Sequence, residues 1–335
     1  MQWQMPITIP KPPRQIGYQQ PILLIGSCFT EHLGEKLARF KFSVLQNPQG
    51  ILFDPYSVSD CLISCVQNRE YGPADLFYLN ELWQSWRHHG DFSNPDPAEC
   101  LRIIQQAQEE GHAFLRQAKW LIITLGSAFC YRIREGIAGG LPAGNPVANC
   151  HRAPAGWFDR QLMPIEGIQA ALDGCIHRLS QFNPDLRIIF TVSPVRHARD
   201  GIVENNRSKA RLLEAVHHLA DKFDRIHYFP AYELVIDVLR DYRFYDVDLV
   251  HPNYQATQYV FEQFAETWID EPSRSIMREL EPLLIAAGHR PQHSGSLAHR
   301  QFLDDQLVRV RRLQEKYPFL DLNQEQRDFA IQDGS

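Results

Sequence analysis

The sequence predicts a three-layer α/β/α sandwich, built on a mostly parallel sheet and followed by a C-terminal helical extension. Three observations predict it. Short, largely apolar runs recur along the chain, helical patterns separate several of them, and the residues with chemical character follow the runs. The runs are Ile22 to Ile25, Phe42 to Leu45, Trp120 to Leu125, Arg187 to Val192 and Ile226 to Phe229. Runs of this length read as strands buried on both faces.

The first helical pattern follows Cys28, with Phe29, Leu33 and Leu37 four residues apart. A second starts near Pro97 and carries Leu101, Ile104, Ala107, Phe114 and Leu115. A third follows "NNRSK", with Leu212, Leu213, Val216 and Leu219. The fourth follows His251, with Tyr259, Phe261, Phe264 and Trp268. Two insertions interrupt this alternation, at about residues 51–118 and 126–162. The second is rich in Gly, Pro and Ala and predicts a long irregular loop, the kind that forms a lid or a binding wall. The α/β domain is expected over 1–270. Beyond it, Leu303, Leu307, Val310 and Leu313 form one apolar stripe, so 271–335 reads as helices that pack on the core or form a homo-oligomer contact.

Composition bounds the function. The chain has 335 residues, 44% of them hydrophobic, and a formal net charge of −6. Mild acidity without a dense Lys/Arg run gives no reason to expect nucleic acid. No apolar run reaches signal-peptide or membrane-spanning length, so no membrane partner is expected. Seven cysteines, an odd number in a large chain, suit reduced thiols in a cytoplasm better than a disulfide framework. Cys61 and Cys65, four apart, read as buried small apolar residues. No Cys/His spacing suits structural zinc, and no metal or cofactor is expected.

Two places carry chemistry. In "PILLIGSCFTEHLG", residues 21–34, a strand runs into a glycine turn and a helix, with Ser27 and Cys28 at the turn. A thiol at a helix N-terminus meets free N–H groups and the positive end of the macrodipole. In "YDVDLVHPNYQATQYVFEQF", Asp248 and His251 stand three apart before a sharp turn into a helix. An Asp at that spacing holds an imidazole in one tautomer, and the His then serves as general base and later as general acid. Arg196 and His197 in "SPVRHARDG" are candidates to meet a ligand over the strand ends. His88 and His89 in "SWRHHGDFS" are further candidates, of which at most one is expected to reach the site. Trp83 and Trp86, read on one helical face, suit packing better than a sugar platform.

The two chemical stretches together carry a resemblance. "IGSCFTEHLG" resembles, without gaps, the first block, "GDSLTEGLG", of the SGNH/GDSL hydrolases, and "DLVHPN" resembles their last block. More closely, the chain resembles the GSCFA-domain family through "NPQGILFDP" (47–55), "SWRHHGDFS" (85–93) and "ITLGSAFCYR" (123–132). Further matches are "VANCHRAP" (147–154), "TVSPVRHARDGIVENNRSKA" (191–210) and "DYRFYDVDLVHPN" (241–253).

The resemblance implies an SGNH-hydrolase-like fold. It sets the nucleophile position on Cys28, with Ser27 as the alternative, and the base and its orienting acid on His251 and Asp248. The oxyanion-hole glycine falls on Gly50. The third block falls on Gly126, Ser127 and Ala128, where the superfamily's asparagine is missing. A lost oxyanion donor costs about 10²–10³ in rate, so a substitute is expected. Asn149 is the first candidate and His151 the next. Ser27 is then left to cap the helix or lend its N–H to the oxyanion hole. The function so implied is acyl-ester chemistry on a glycan or small-metabolite ester. The alternatives are O-acyl transfer from a thioester donor, or a non-catalytic carbohydrate-binding module.

Overall fold

Continuous apolar runs form the centre of the protein. The computed structural model describes residues 5–289 and 296–331. In chain order the elements are β1 (Ile22–Gly26), α1 (Cys28–Arg39), β2 (Val44–Gln46), α2 (Pro55–Gln67), β3 (Phe77–Leu79), β4 (Leu82–Gln84), α3 (Pro97–Gln117) and β5 (Trp120–Leu125). Then come β6 (Phe129–Ile133), β7 (Pro146–Val147), β8 (Phe158–Leu162), α4 (Ile165–Phe182), β9 (Arg187–Val192), α5 (Ile202–Lys222), β10 (Ile226–Tyr228) and the short α6 (Ala231–Glu233). The helices α7 (Tyr254–Trp268), α8 (Glu271–Ala287), α9 (Leu297–Lys316) and α10 (Asn323–Ile331) complete the chain.

Five strands make one parallel sheet in the order β10-β9-β5-β1-β2. Leu23, Ile25, Leu121, Ile123, Leu125, Ile188, Phe190 and Val192 point to one face and pack with buried residues of α2, α4 and α5. The alternate residues Ile22, Leu24, Trp120, Ile122 and Ile189 are buried on the other face. Chain direction explains the two layers. From β1 the chain steps outward to β2, whereas β5, β9 and β10 step the opposite way. Right-handed crossovers therefore put α1 and α5 on opposite faces. The reversal lies between β1 and β5, the place where such sheets open a crevice at the strands' carboxyl ends.

Helix starts follow local chemistry. Asp54 precedes Pro55 and accepts the N–H groups of Tyr56 (3.0 Å) and Ser57 (3.1 Å), and Asp96 before Pro97 accepts from Ala98 (3.0 Å). An Asp cap with Pro at the first helical position satisfies donors that the helix itself leaves open.

Both insertions hold more regular structure than their composition suggests. Residues 126–162 contain β6, β7 and β8 in a three-stranded antiparallel sheet, which corrects the expected irregular loop. Its Gly and Pro residues mark the turns between short strands. Trp83 and Trp86 are not on a helix either. Trp83 lies in β4 opposite Tyr78 of β3, across a turn at Asn80 and Glu81 with φ of 51° and 64°. That is the positive-φ pair a tight hairpin needs. Trp86 is fully buried and stacks on Phe77 at 3.6 Å. Ile133, Leu141, Val147 and Phe158 join the two in a small core of their own. Cys61 and Cys65 are buried on α2.

The chain divides into two compact units. The first takes residues 1–10, 21–34 and 44–263 and contains the parallel sheet. The second takes 11–20, 35–43 and 264–335. In it Ile16 bridges Ile269, Tyr18 stacks on Phe42 at 4.3 Å, and Lys41 pairs with Glu325 at 2.6 Å. On α9, Leu303, Val310 and Leu313 are buried and Leu307 is half-buried. Among the described residues no helix is long and apolar enough to cross a membrane.

Candidate active site

The site is built where β1, β5 and β9 end. At the end of β1, Gly26 adopts φ 141°, donates its N–H to Asn47 Oδ1 (2.9 Å) and accepts from the Leu52 N–H (2.9 Å). Ser27 follows. Its N–H donates to the Thr124 carbonyl (3.1 Å) and its own carbonyl accepts the Thr30 N–H (2.8 Å), which begins α1. The Ser27 hydroxyl is buried and makes no hydrogen bond within the protein. Neither role expected of Ser27 fits: the side chain does not cap, and the N–H is already spent.

Cys28 opens the first turn of α1 and is half-buried. Burial pushes its thiol pKa up and Glu31 adds to the rise. Lys209 and the N–H groups of Phe29 and Cys28 pull the other way.

At the end of β5, the N–H groups of Gly126 and Ser127 both donate to the Phe53 carbonyl (2.9 and 3.0 Å). A side chain on Gly126 would meet Phe53 (3.1 Å), Ser27 (3.2 Å) and His197 Nε2 (3.5 Å), so these three residues surround it. The Gly126 carbonyl accepts from Lys209 Nζ at 2.6 Å, and the Ser193 carbonyl beyond β9 accepts from the same ammonium at 2.7 Å.

His197 follows β9. Its N–H donates to Asn205 Oδ1 (2.9 Å) and its ring meets Phe53 edge-on at 5.7 Å. Burial, helped by the Lys209 charge, lowers its pKa to about 4 against the pull of the Gly126 backbone, and the charge of His251 lowers it further. Arg196 spans two loops instead of facing outward. Its N–H donates to the Val250 carbonyl (3.3 Å), and its guanidinium lies over the rings of Tyr245 (5.0 Å) and Tyr242 (5.8 Å).

The loop 241–253 presents the Asp–His pair. Asp248 Oδ1 accepts the N–H groups of Val250 (2.9 Å) and His251 (3.0 Å), and Oδ2 meets His251 Nδ1 at 2.6 Å. Leu249 between them takes φ 58°, and the Asp246 N–H donates to the His251 carbonyl (2.8 Å). The hydrogen bond from His251 lowers the Asp248 pKa to about 2. An ionised carboxylate on Nδ1 puts the ring proton there and leaves Nε2 as the acceptor.

The other expected residues are placed differently. The Gly50 N–H donates to the Asn47 carbonyl (2.7 Å), so neither it nor the Gly126 N–H stands open as an oxyanion donor. His89 packs on the Gly50 α-carbon and its ring nears Asp91 (2.9 Å). Asn149 turns its side-chain oxygen to the His151 N–H (2.8 Å) and closes a local turn. His151 is buried with Nε2 on the Ser85 carbonyl (2.8 Å), and His88 is buried with Nδ1 on Ser85 Oγ (3.0 Å). These two imidazoles meet at Ser85, His88 from the first insertion and His151 from the second, and both are buried. Lys209, Asn205 and Phe53 are the site residues sequence reasoning missed. A signal for Lys209 existed: it stands with Asn205 and Ser208 on the α5 stripe that continues as Leu212, Val216 and Leu219, so the apolar period turns polar at the helix's first turns. Among the described residues no cluster of three His, Cys, Asp or Glu side chains could hold a metal ion.

Burial lowers the His88 pKa to about 3, and His197 lies at about 4, both below 6.5. Between these values and 6.5 the unfolded chain binds protons that the folded chain does not. Stability therefore falls as pH drops through this window, by about 1.4 kcal/mol per pH unit for each such group at full effect. A urea-denaturation series from pH 7 to 4 should show this slope, and His88→Gln should make it shallower. An equal slope in the variant would contradict the assignment.

A parallel sheet flanked by helices, with a glycine turn after the first strand and an Asp–His pair in a late loop, defines an α/β protein with its polar residues at the strand ends. The chain belongs to the GSCFA family, whose sequence pattern matches residues 21–264, and the pattern of the GSCFA C-terminal domain matches 280–333. No curated protein sequence matches it. Among solved structures it is similar to "a putative platelet activating factor from Streptococcus pneumonia", at 11% identity and TM-score 0.38, covering 74% of this chain and 83% of that one. It is also similar to an acetyl xylan esterase from the rumen bacterium Butyrivibrio proteoclasticus, at 10% identity and TM-score 0.37. That match covers 74% of this chain and 63% of the esterase, under two thirds of its length. At these scores nothing about activity follows from either.

Proposed function

We propose that the protein performs acyl-ester chemistry on a glycan or small-metabolite ester, with Cys28 as nucleophile, His251 as proton carrier and Asp248 as its orienting acid. The observation that carries this reading is the preset base. One carboxylate holds the His251 ring and, through two N–H groups, the backbone around it. A binding module has no use for an oriented, unprotonated Nε2.

The elevated thiol pKa bears on the order of events. Cys28 rests as a thiol, so its proton leaves during attack. His251 Nε2 takes the S–H proton as sulfur bonds to the acyl carbon. The tetrahedral intermediate collapses, the alkoxide leaves with that proton, and a thioester remains. Water, giving its proton to His251, then attacks the thioester and releases the acid, and the sulfur regains its proton. A sugar hydroxyl in place of water makes the same site an acyltransferase. The N–H groups of Cys28 and Phe29 in the first turn of α1 are the oxyanion donors in this scheme, replacing Gly50 and Asn149.

Labelling with a haloacetamide and an acyl fluoride tests the nucleophile. Cys28→Ala should lose labelling by both, and Ser27→Ala should keep it, because the Ser27 hydroxyl is buried. Labelling lost only in Ser27→Ala would refute the choice. A panel of p-nitrophenyl acetate and acetylated sugars tests the reaction: no turnover together with tight sugar binding would replace the enzyme reading with a binding one.

A further inference from the structure

Lys209 is 1% exposed, on a buried helix face that begins with Asn205 and Ser208 and continues as Leu212, Ala215, Val216 and Leu219. An ammonium taken out of water in such a place is costly unless its protons are bonded and its charge is met. Its protons are partly bonded. The two acceptors, the Gly126 and Ser193 carbonyls, belong to the segments that end adjacent strands β5 and β9. Gly126 takes part in the crevice wall, since it lies against Ser27, Phe53 and His197. Three N–H donors with two carbonyl acceptors leave one donor for something else. Gly126, whose carbonyl holds the ammonium, lies against Ser27, the residue before Cys28, so Lys209 reaches the strand-end wall behind the turn that carries the thiol, and the Cys28 charge acts on it.

We propose that Lys209 is the electrostatic partner of Cys28: a positioning residue whose ammonium, held by two strand-end carbonyls, stabilises the thiolate as it forms. This rests on the reading of Cys28 as the nucleophile. When the thiol proton passes to His251, the negative charge left on sulfur meets the ammonium already in place. No proton enters or leaves Lys209 in that step, and two separately unfavourable buried charges become one pair.

The neighbouring groups agree. Burial lowers the Lys209 pKa to about 7 while Cys28 raises it, and Lys209 in turn lowers that of Cys28 against burial and Glu31. Burial, and after it the same ammonium, lowers the His197 pKa to about 4, which makes it too weak a base to compete as proton carrier. The groups facing the pair are thus Glu31 from α1, His197 from the segment after β9, and, through His197, His251 from the late loop.

The test is the rate of Cys28 alkylation by iodoacetamide from pH 5 to 10, read by intact mass and peptide mapping, in wild type and Lys209→Met. The variant's curve should move to higher pH by about one unit or more, which at pH 6.5, below the Lys209 midpoint of about 7 where the ammonium predominates, is roughly a tenfold slower reaction. An unmoved curve in a variant with wild-type near-UV circular dichroism overturns the proposal. Should Lys209→Met not fold, the reciprocal measurement decides. Binding linkage runs both ways, so Cys28→Ala should lower the Lys209 titration midpoint seen by carbon-13 NMR of labelled lysine. An unchanged midpoint overturns the proposal. A moved alkylation curve without ester turnover keeps the pair and removes the ester reading. Ester turnover with an unmoved curve does the reverse.

Discussion

Gly26→Ala should leave little stably folded protein. The residue holds φ 141°, a region open essentially only to glycine, and a strained residue of that kind costs up to about 3 kcal/mol by itself. Crowding adds to the strain. A Cβ on Gly26 would lie 2.8 Å from the Thr124 carbonyl carbon and 2.9 Å from its nitrogen, and closer still to its oxygen. That obstacle is the backbone of a central strand, which cannot rotate away. Against a domain stability of roughly 5–15 kcal/mol, the combined loss should lower the melting temperature by about 10 °C or more, or leave the chain insoluble. Gly174→Ala makes the contrast. It lies exposed on α4 with nothing within 4 Å of the added carbon, so it should stabilise by up to about 1 kcal/mol. A Gly26→Ala protein that melts with wild type would mean that β1 does not end in this turn.

His251→Ala should lower kcat/KM on any accepted ester by about 10²–10⁴, the usual contribution of a positioned acid–base group. Asp248→Asn should also be severely impaired, because an amide no longer holds the proton on Nδ1. Asp248 stays ionised down to about pH 2, so it is not the group that titrates on an acid limb between pH 4 and 7. Both side chains are half exposed, and the melting temperature should change little in either variant. Activity lost with the fold kept identifies a chemical role. Activity retained in His251→Ala removes His251 as proton carrier.

Much of the fold is legible in the chain. The runs Trp120–Leu125 and Arg187–Val192 are strands over those same residues, and β1 extends its run by only Gly26. A strand buried on both faces is apolar over most of its length, with Thr124 and Thr191 as the buried polar exceptions, so its signature is local and nearly continuous. Phe42 misled the reading of the second strand: it belongs to the second unit, stacked on Tyr18, while β2 starts at Val44. The insertions hid their strands because pieces of two to five residues, separated by Gly- and Pro-rich turns, carry no period long enough to detect.

The site divides in the same way. Sequence alone determined the strand-to-helix turn at Ser27 and Cys28 and the Asp248–His251 pair, because each is a short-range arrangement: a strand end feeding a helix, and two side chains three residues apart. Only the tertiary structure decided which donors are free and which charges meet. The Gly50 and Gly126 N–H groups are spent on the Asn47 and Phe53 carbonyls, and His88 and His151 are enclosed with Ser85. Lys209 reaches the carbonyls of Gly126 and Ser193 because β5 and β9 are neighbours in the sheet. Whether a polar group is available depends on what is packed against it, and that follows from strand order and handedness, which no local pattern records.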